Sequence, residues 1–315
     1  MDYLLFLQNL RESCPAFINN FFIFISEALV SLLILIPVII YWSVDKKVGL
    51  WFLFNYSAGY FTNQCVKNTA CVYRPWIRDS RLHLAKEAVY SATGYSFPSG
   101  HTTTAASFFG GLALSLKKRK VLGIFLIVII FLVALSRNWL GAHTLKDVLV
   151  AICHTALILC LVSFVKYFIT KNPSKDTLVT VVGIVLVVIF LLFTTLKSYP
   201  VKYADDGSLL VDPAKMLRDA YKTSGSAMGF FMGWWLERHC LKFQNPSTKK
   251  SKILCSLCGS VILIAWNFGI SNIFKVCGPN ISGFIKHFVT FFSILYLYPL
   301  LYTSFTNLLS KKKAA

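Results

Sequence analysis

Three separated stretches of the chain carry side chains suited to handling a phosphate ester. Lys67 is followed after six residues by Arg74-Pro75; Pro98-Ser99-Gly100-His101 stands at the head of an apolar run; Ser136-Arg137 is followed after five residues by His143 and after three more by Asp147. Lys67, Arg74 and Arg137 can neutralise nonbridging phosphate oxygens, the planar guanidinium groups binding two at once. Ser99 can donate its hydroxyl, and Gly100 lets the backbone approach an anion at a helix N-terminus, where free N–H groups and the dipole favour negative charge. Pro98 is read as opening the first turn of that helix. His143 and Asp147 are four apart, a spacing that puts both on one helix face, so the carboxylate can set the imidazole tautomer and stabilise its cation. His143 is therefore the better nucleophile. His101 has no carboxylate in its own segment and is placed to protonate the departing oxygen as general acid, then to activate water in the second half of a two-step displacement.

The elements that must position these residues belong in a bilayer. Of 315 residues, 56% are hydrophobic and only 14% charged, and the mean hydropathy of +0.62 is well above that of an ordinary soluble domain. Apolar stretches approaching the roughly 20 residues needed to cross about 30 Å of hydrocarbon recur along the chain, too often for one signal peptide to explain. Spans are expected at about 21–43, 49–66, 100–116, 121–136, 148–168, 177–197, 224–240, 253–273 and 287–309. Barrel strands would be shorter and would alternate, so the fold class is all-α: a polytopic helical bundle of about nine transmembrane helices. No internal repeat or linker marks a second domain, and residues 1–315 read as a single integral domain. Its longest polar connections are 67–99 and 198–223.

With nine spans, the basic clusters Lys46-Lys47, Lys117-Lys118-Arg119-Lys120, Lys166–Lys175, Arg238–Lys252 and Lys311–Lys313 fall on one face, which the positive-inside rule makes cytoplasmic. The Lys117–Lys120 run is a topology signal rather than a nucleic-acid patch. The three chemical stretches collect on the opposite face, at one membrane level.

Other features carry less. The nine cysteines form no disulfide pattern, and the Cys255/Cys258 pair, lacking a second pair or histidines, reads as structural rather than metal-binding. Asp205, Asp206, Asp212 and Asp219 lack the spacing of a calcium loop and read as a solvated loop. His154 is expected to be a hydrogen-bonded structural histidine. Trp76 and Trp139 are expected in the interfacial aromatic belt.

Together, Lys67, Arg74-Pro75, Pro98-Ser99-Gly100-His101, Ser136-Arg137, His143 and Asp147 resemble the full three-part signature of the type 2 phosphatidic acid phosphatase superfamily, with no signature position departing from the pattern. The matching core runs from about 45 to 165, leaving accessory C-terminal helices at about 177–309. The resemblance implies a helical-bundle phosphatase in which Lys67, Arg74, Ser99, Gly100 and Arg137 bind phosphate, His143 is the nucleophile, His101 the acid and Asp147 the residue that orients His143. It implies no metal and no cofactor.

Soluble vanadate-dependent haloperoxidases share this superfamily, but the lipid-crossing spans argue against them. Among membrane members, "TGYSFPSGHT" and "DKKVGL" look most like bacterial lipid phosphatases. The nine-span arrangement and the terminal Lys312-Lys313-Ala314-Ala315 are similar to glucose-6-phosphatases, although that tail reads rather as a positive-inside anchor. The expectation is a metal-independent phosphatase acting on a membrane lipid phosphate monoester or diphosphate at the extracytoplasmic surface of the cell membrane, or of the endoplasmic reticulum in a eukaryote. Alternatives are a phosphatase of a soluble ester such as glucose 6-phosphate, a lipid phosphotransferase, and a transporter or scaffold.

Overall fold

In lipid a backbone satisfies its polar groups only internally, and each long apolar run of this chain does so as a helix. The structure is a computed structural model that describes residues 1–33, 35–116, 119–204 and 207–314. Among these residues there is no strand, only one isolated bridge between Tyr203 and Leu209. The fold is all-helical. Among the described residues, five helical stretches are long and apolar enough to cross a membrane: Ala16–Val44, Lys120–Trp139, Leu145–Lys171, Pro173–Leu196 and Gly278–Leu308.

The spans expected at 49–66, 100–116, 224–240 and 253–273 lie on the helices Lys46–Ala70, Gly100–Ser115, Pro213–Leu236 and Lys249–Ile273, which do not meet that measure. Asn55, Asn63, Gln64 and Lys67 dilute the first, and the second is too short. The connection expected to run to residue 223 ends earlier. Pro213 opens a helix, for which a proline without an N–H is well suited, and Asp212 Oδ1 accepts from the Ala214 N–H at 2.9 Å. Asp219 therefore lies on a helix, paired with Lys222 at 3.0 Å, rather than in a loop. Asp205, Asp206, Lys117 and Lys118 lie outside the described residues.

The chain divides into two compact units, the first made of Met1–Ile34, Ala58–Ser163 and Lys197–Met216. Its core packs Ile25, Val30 and Leu33 of the N-terminal apolar stretch with Ala105, Phe108 and Phe109 and with Leu126, Ile130 and Val133. Trp139 belongs to a neighbouring cluster with Leu7, Ala88 and Leu140. It stacks on Phe22 at 4.6 Å and donates its indole N–H to Asn19 Oδ1 at 3.0 Å, so it is a buried core residue and not a belt aromatic. The predicted hydrogen bond of His154 is also missing, its buried Nδ1 having no partner among the described residues.

The second unit comprises Leu35–Ser57, Phe164–Leu196 and Leu217–Ala315. A close helix–helix contact in it follows from three glycines four residues apart. A Cβ at Gly225 or Gly229 would lie 2.2 Å from the carbonyl oxygens of Phe284 and Phe288, and one at Gly233 would lie 3.1 Å from Leu295 Cβ. Small residues at this spacing let two helices meet backbone to backbone, which in lipid replaces the missing hydrophobic drive. Polar anchors complete the unit. Trp42 Nε1 donates to the Ile294 carbonyl at 2.8 Å, Lys46 pairs with buried Glu237 at 2.7 Å, and Arg238 pairs with Asp176 at 2.6 Å. All nine cysteines are free thiols, with buried Cys255 held against Trp42 and Tyr298.

Candidate functional site

All eight residues singled out by their chemistry fall in the first unit, on four segments: the end of the Lys46–Ala70 helix with its following loop, the start of the Gly100–Ala105 helix, the end of Lys120–Trp139 and the start of Leu145–Lys171.

Gly141 explains how Arg137 and His143 come to be neighbours. The Lys120–Trp139 helix stops at Leu140, and Gly141 takes φ +72, a left-handed conformation that ends helices and costs glycine little. A Cβ there would stand 2.9 Å from the His83 carbonyl oxygen. The chain folds back so that the N–H groups of Ala142 and His143 both donate to the Arg137 carbonyl, at 3.0 and 3.2 Å. Asn138 Nδ2 ties down the His143 carbonyl at 2.8 Å.

Asp147 is placed by a capping box. Thr144 precedes the helix, its Oγ1 accepts from the Asp147 N–H at 3.3 Å, and Asp147 Oδ2 accepts from the Thr144 N–H at 2.7 Å. His143 thus lies before the cap, outside the helix, which corrects the expectation of a shared helix face. Its Nδ1 stands 3.7 Å from Asp147 Oδ2, too long for a hydrogen bond. Ser96 closes the gap, donating to Asp147 Oδ2 at 2.5 Å and lying 3.4 Å from His143 Nδ1.

The other ring nitrogen faces Arg74. Arg74 Nη1 lies 2.9 Å from His143 Nε2 and also donates to the Ala142 carbonyl at 2.9 Å, while Nε and Nη2 donate to the Gly94 and Thr93 carbonyls at 3.0 and 2.9 Å. A guanidinium has no acceptor, so Nε2 must be the lone-pair nitrogen and Nδ1 must carry the proton. Burial, followed by the Arg74 charge, pushes the His143 pKa well below its ordinary value. Burial and the neighbouring Arg137 charge likewise lower that of Arg74. Lys67, also buried, donates to the Tyr95 carbonyl at 3.1 Å, on the loop that carries Ser96.

Ser99 is the N-cap of the Gly100–Ala105 helix, so Pro98 lies one residue outside it and does not open its first turn. The Ser99 oxygen accepts from Thr102 N and Oγ1 at 3.4 and 3.0 Å, leaving its proton to donate. A Cβ at Gly100 would meet no atom within 4 Å. The Ser99 N–H donates to the Asp147 carbonyl at 3.1 Å, which joins this helix to the histidine-bearing segment.

Arg137 and His101 meet a partner that sequence reasoning left unassigned. Arg137, fully buried, donates through Nη1 to Ser26 Oγ and Glu27 Oε1 at 2.5 and 2.6 Å, and Nη2 reaches Ser91 Oγ at 3.3 Å. His101 Nε2 lies 3.9 Å from Glu27 Oε2. A lone acid inside an apolar run is by itself a functional signal, because an ionised carboxylate in lipid is costly unless paired. That signal marks Glu27 without naming its partner. Ser96 and Ser91 carry no comparable mark.

The family model of the PAP2 superfamily matches residues 48–171, the stretch that holds every predicted site residue. No curated protein and no solved structure matches the chain. The model of the PAP2 superfamily phosphatase transmembrane extension matches residues 221–312, and with over half of its length covered by the two, the chain belongs to the PAP2 superfamily as a membrane phosphatase carrying that extension.

Proposed function

We propose that the protein hydrolyses a phosphate monoester or diphosphate carried by a membrane lipid, through a phosphohistidine at His143. The observation that supports this most directly is the arrangement around that ring: a guanidinium on Nε2 and the Ser96–Asp147 pair on the Nδ1 side. In this reading Lys67, Arg74 and Arg137 neutralise the phosphate oxygens, Ser99 donates its hydroxyl, and the N–H groups at Gly100 face the anion. His143 Nε2 attacks phosphorus and the bond to the lipid oxygen breaks, with His101 supplying the proton that the leaving oxygen needs. The positive charge that develops on His143 is balanced by Asp147 through Ser96. Water then attacks the phosphohistidine and gives its proton to His101, so inorganic phosphate leaves and both histidines return to their starting states.

The nine-span arrangement and an extracytoplasmic site complete the proposal, supported by the basic clusters on the opposite face. A site at headgroup level lets a lipid arrive laterally with its tails in the bilayer. The test is phosphate release by detergent-solubilised protein with EDTA present, offered phosphatidic acid, phosphatidylglycerol phosphate, undecaprenyl diphosphate and glucose 6-phosphate in parallel. Turnover of a lipid that disappears in His143→Ala supports the reading. Turnover of glucose 6-phosphate alone, or full activity in His143→Ala, overturns it.

A further inference from the structure

The carboxylate of Glu27 binds one predicted site residue, Arg137, and faces another, His101. Oε1 accepts from Arg137 Nη1 at 2.6 Å, from Ser26 Oγ at 2.9 Å and from Ser91 Oγ at 3.0 Å, which fixes the orientation of the whole group. With Oε1 so occupied, Oε2 faces His101 Nε2 at 3.9 Å. Glu27 lies 110 residues before Arg137 in sequence and sits on an apolar stretch far from the signature segments. An ionised carboxylate in such a stretch is retained at a cost of a few kcal/mol unless it is paired or used.

The charges around His101 explain the use. Burial weighs most against a proton on this ring, and Arg137, His143, Arg74 and Lys67 act in the same sense. Each cation opposes a proton on His101, yet a general acid must carry one when the lipid oxygen departs. Glu27 is the acidic group that faces the ring, and its carboxylate favours the imidazolium.

We propose that Glu27 is a positioning residue for leaving-group protonation: it offsets the cations that oppose a proton on His101 and turns the ring for proton donation, as Ser96 and Asp147 serve His143. This rests on the phosphohistidine reading above. The site then contains two histidine–carboxylate pairs of opposite purpose. Asp147 supports a ring that must be neutral before attack, and Glu27 supports one that must be protonated.

The experiment compares two substrates in Glu27→Gln. p-Nitrophenyl phosphate has a leaving group stable as an anion, whereas a short-chain phosphatidic acid releases an alkoxide that needs a proton. Loss of help to the acid should lower kcat/KM for the alkyl ester about tenfold or more beyond the loss on the aryl ester, which feels only the changed partner of Arg137. The basic limb of the alkyl-ester pH profile should move to lower pH, because His101 then loses its proton more readily. In a His101→Ala background, Glu27→Gln should lower both substrates alike, because only its contact with Arg137 is then lost. Equal loss on both substrates, an unmoved basic limb, or a gain in rate overturns the proposal. If Glu27→Gln does not fold, Glu27→Asp decides: it keeps the charge for Arg137 but draws Oε2 away from His101, so an alkyl-selective loss is expected and a uniform one overturns it. Retained activity in His143→Ala would instead overturn the underlying reading, independently of Glu27.

Discussion

Arg74 Nη1 and His143 Nε2 are 2.9 Å apart, a pairing across 69 residues that leaves the imidazole lone pair on the nitrogen facing the cation. The same guanidinium donates to the carbonyls of Thr93, Gly94 and Ala142. It therefore braces the 93–94 loop and the Gly141 turn as well as the ring.

The pairing has a consequence for pH. Burial first and the Arg74 charge second push the His143 pKa well below its ordinary 6.5, so the ring is neutral at pH 7. Protonation removes the nucleophilic lone pair, so activity is present above the lowered pKa and lost as pH falls through it. The acidic limb of kcat/KM, after correction for ionisation of the substrate, is expected well below pH 6.5. A limb at or above 6.5 would contradict the buried, cation-facing ring.

Ser96 is the only hydroxyl among the described contacts that bridges Asp147 Oδ2, at 2.5 Å, and His143 Nδ1, at 3.4 Å. Ser96→Ala should leave Asp147 with its Thr144 bond but sever its link to the ring. The expected result is a fall in kcat of roughly tenfold with KM nearly unchanged, as for other groups that orient a working imidazole. Steady-state kinetics on one lipid substrate reads this directly. An unchanged kcat would mean that Asp147 acts on His143 without the bridge.

Gly229 tests the helix pairing of the second unit. A Cβ there would sit 2.2 Å from the Phe288 carbonyl oxygen, a backbone atom that cannot swing aside. Gly229→Ala is expected to cost about 1–3 kcal/mol, as overpacked sites do, and to lower the melting temperature in detergent. Gly123→Ala serves as the comparison, since a Cβ at Gly123 meets no atom within 4 Å, and it should melt no earlier than the parent.

The helical class, the membrane setting and the family were legible in the linear chain, as were the eight candidate residues that the structure brings into one unit. Each depends on a local property: hydropathy averaged along a run, or residue types at short fixed spacings. The first failures are local as well. Thr144 and Asp147 form a capping box that stops the Leu145–Lys171 helix before His143, and Ser99 takes the cap that Pro98 was expected to open. In both cases a side chain competing for free backbone N–H groups outranked simple periodicity.

What only the tertiary structure decided is which charge answers which. Arg137 is matched to Glu27, Asp147 to Ser96 and Arg74 to two loop carbonyls, pairings separated by 110, 51 and about 20 residues. Trp139 looks like any interfacial tryptophan until Phe22 and Asn19 close over it. Hydropathy and spacing carry no record of such partners. They form because a polar group drawn out of water must find another, and the nearest one is set by how the helices pack.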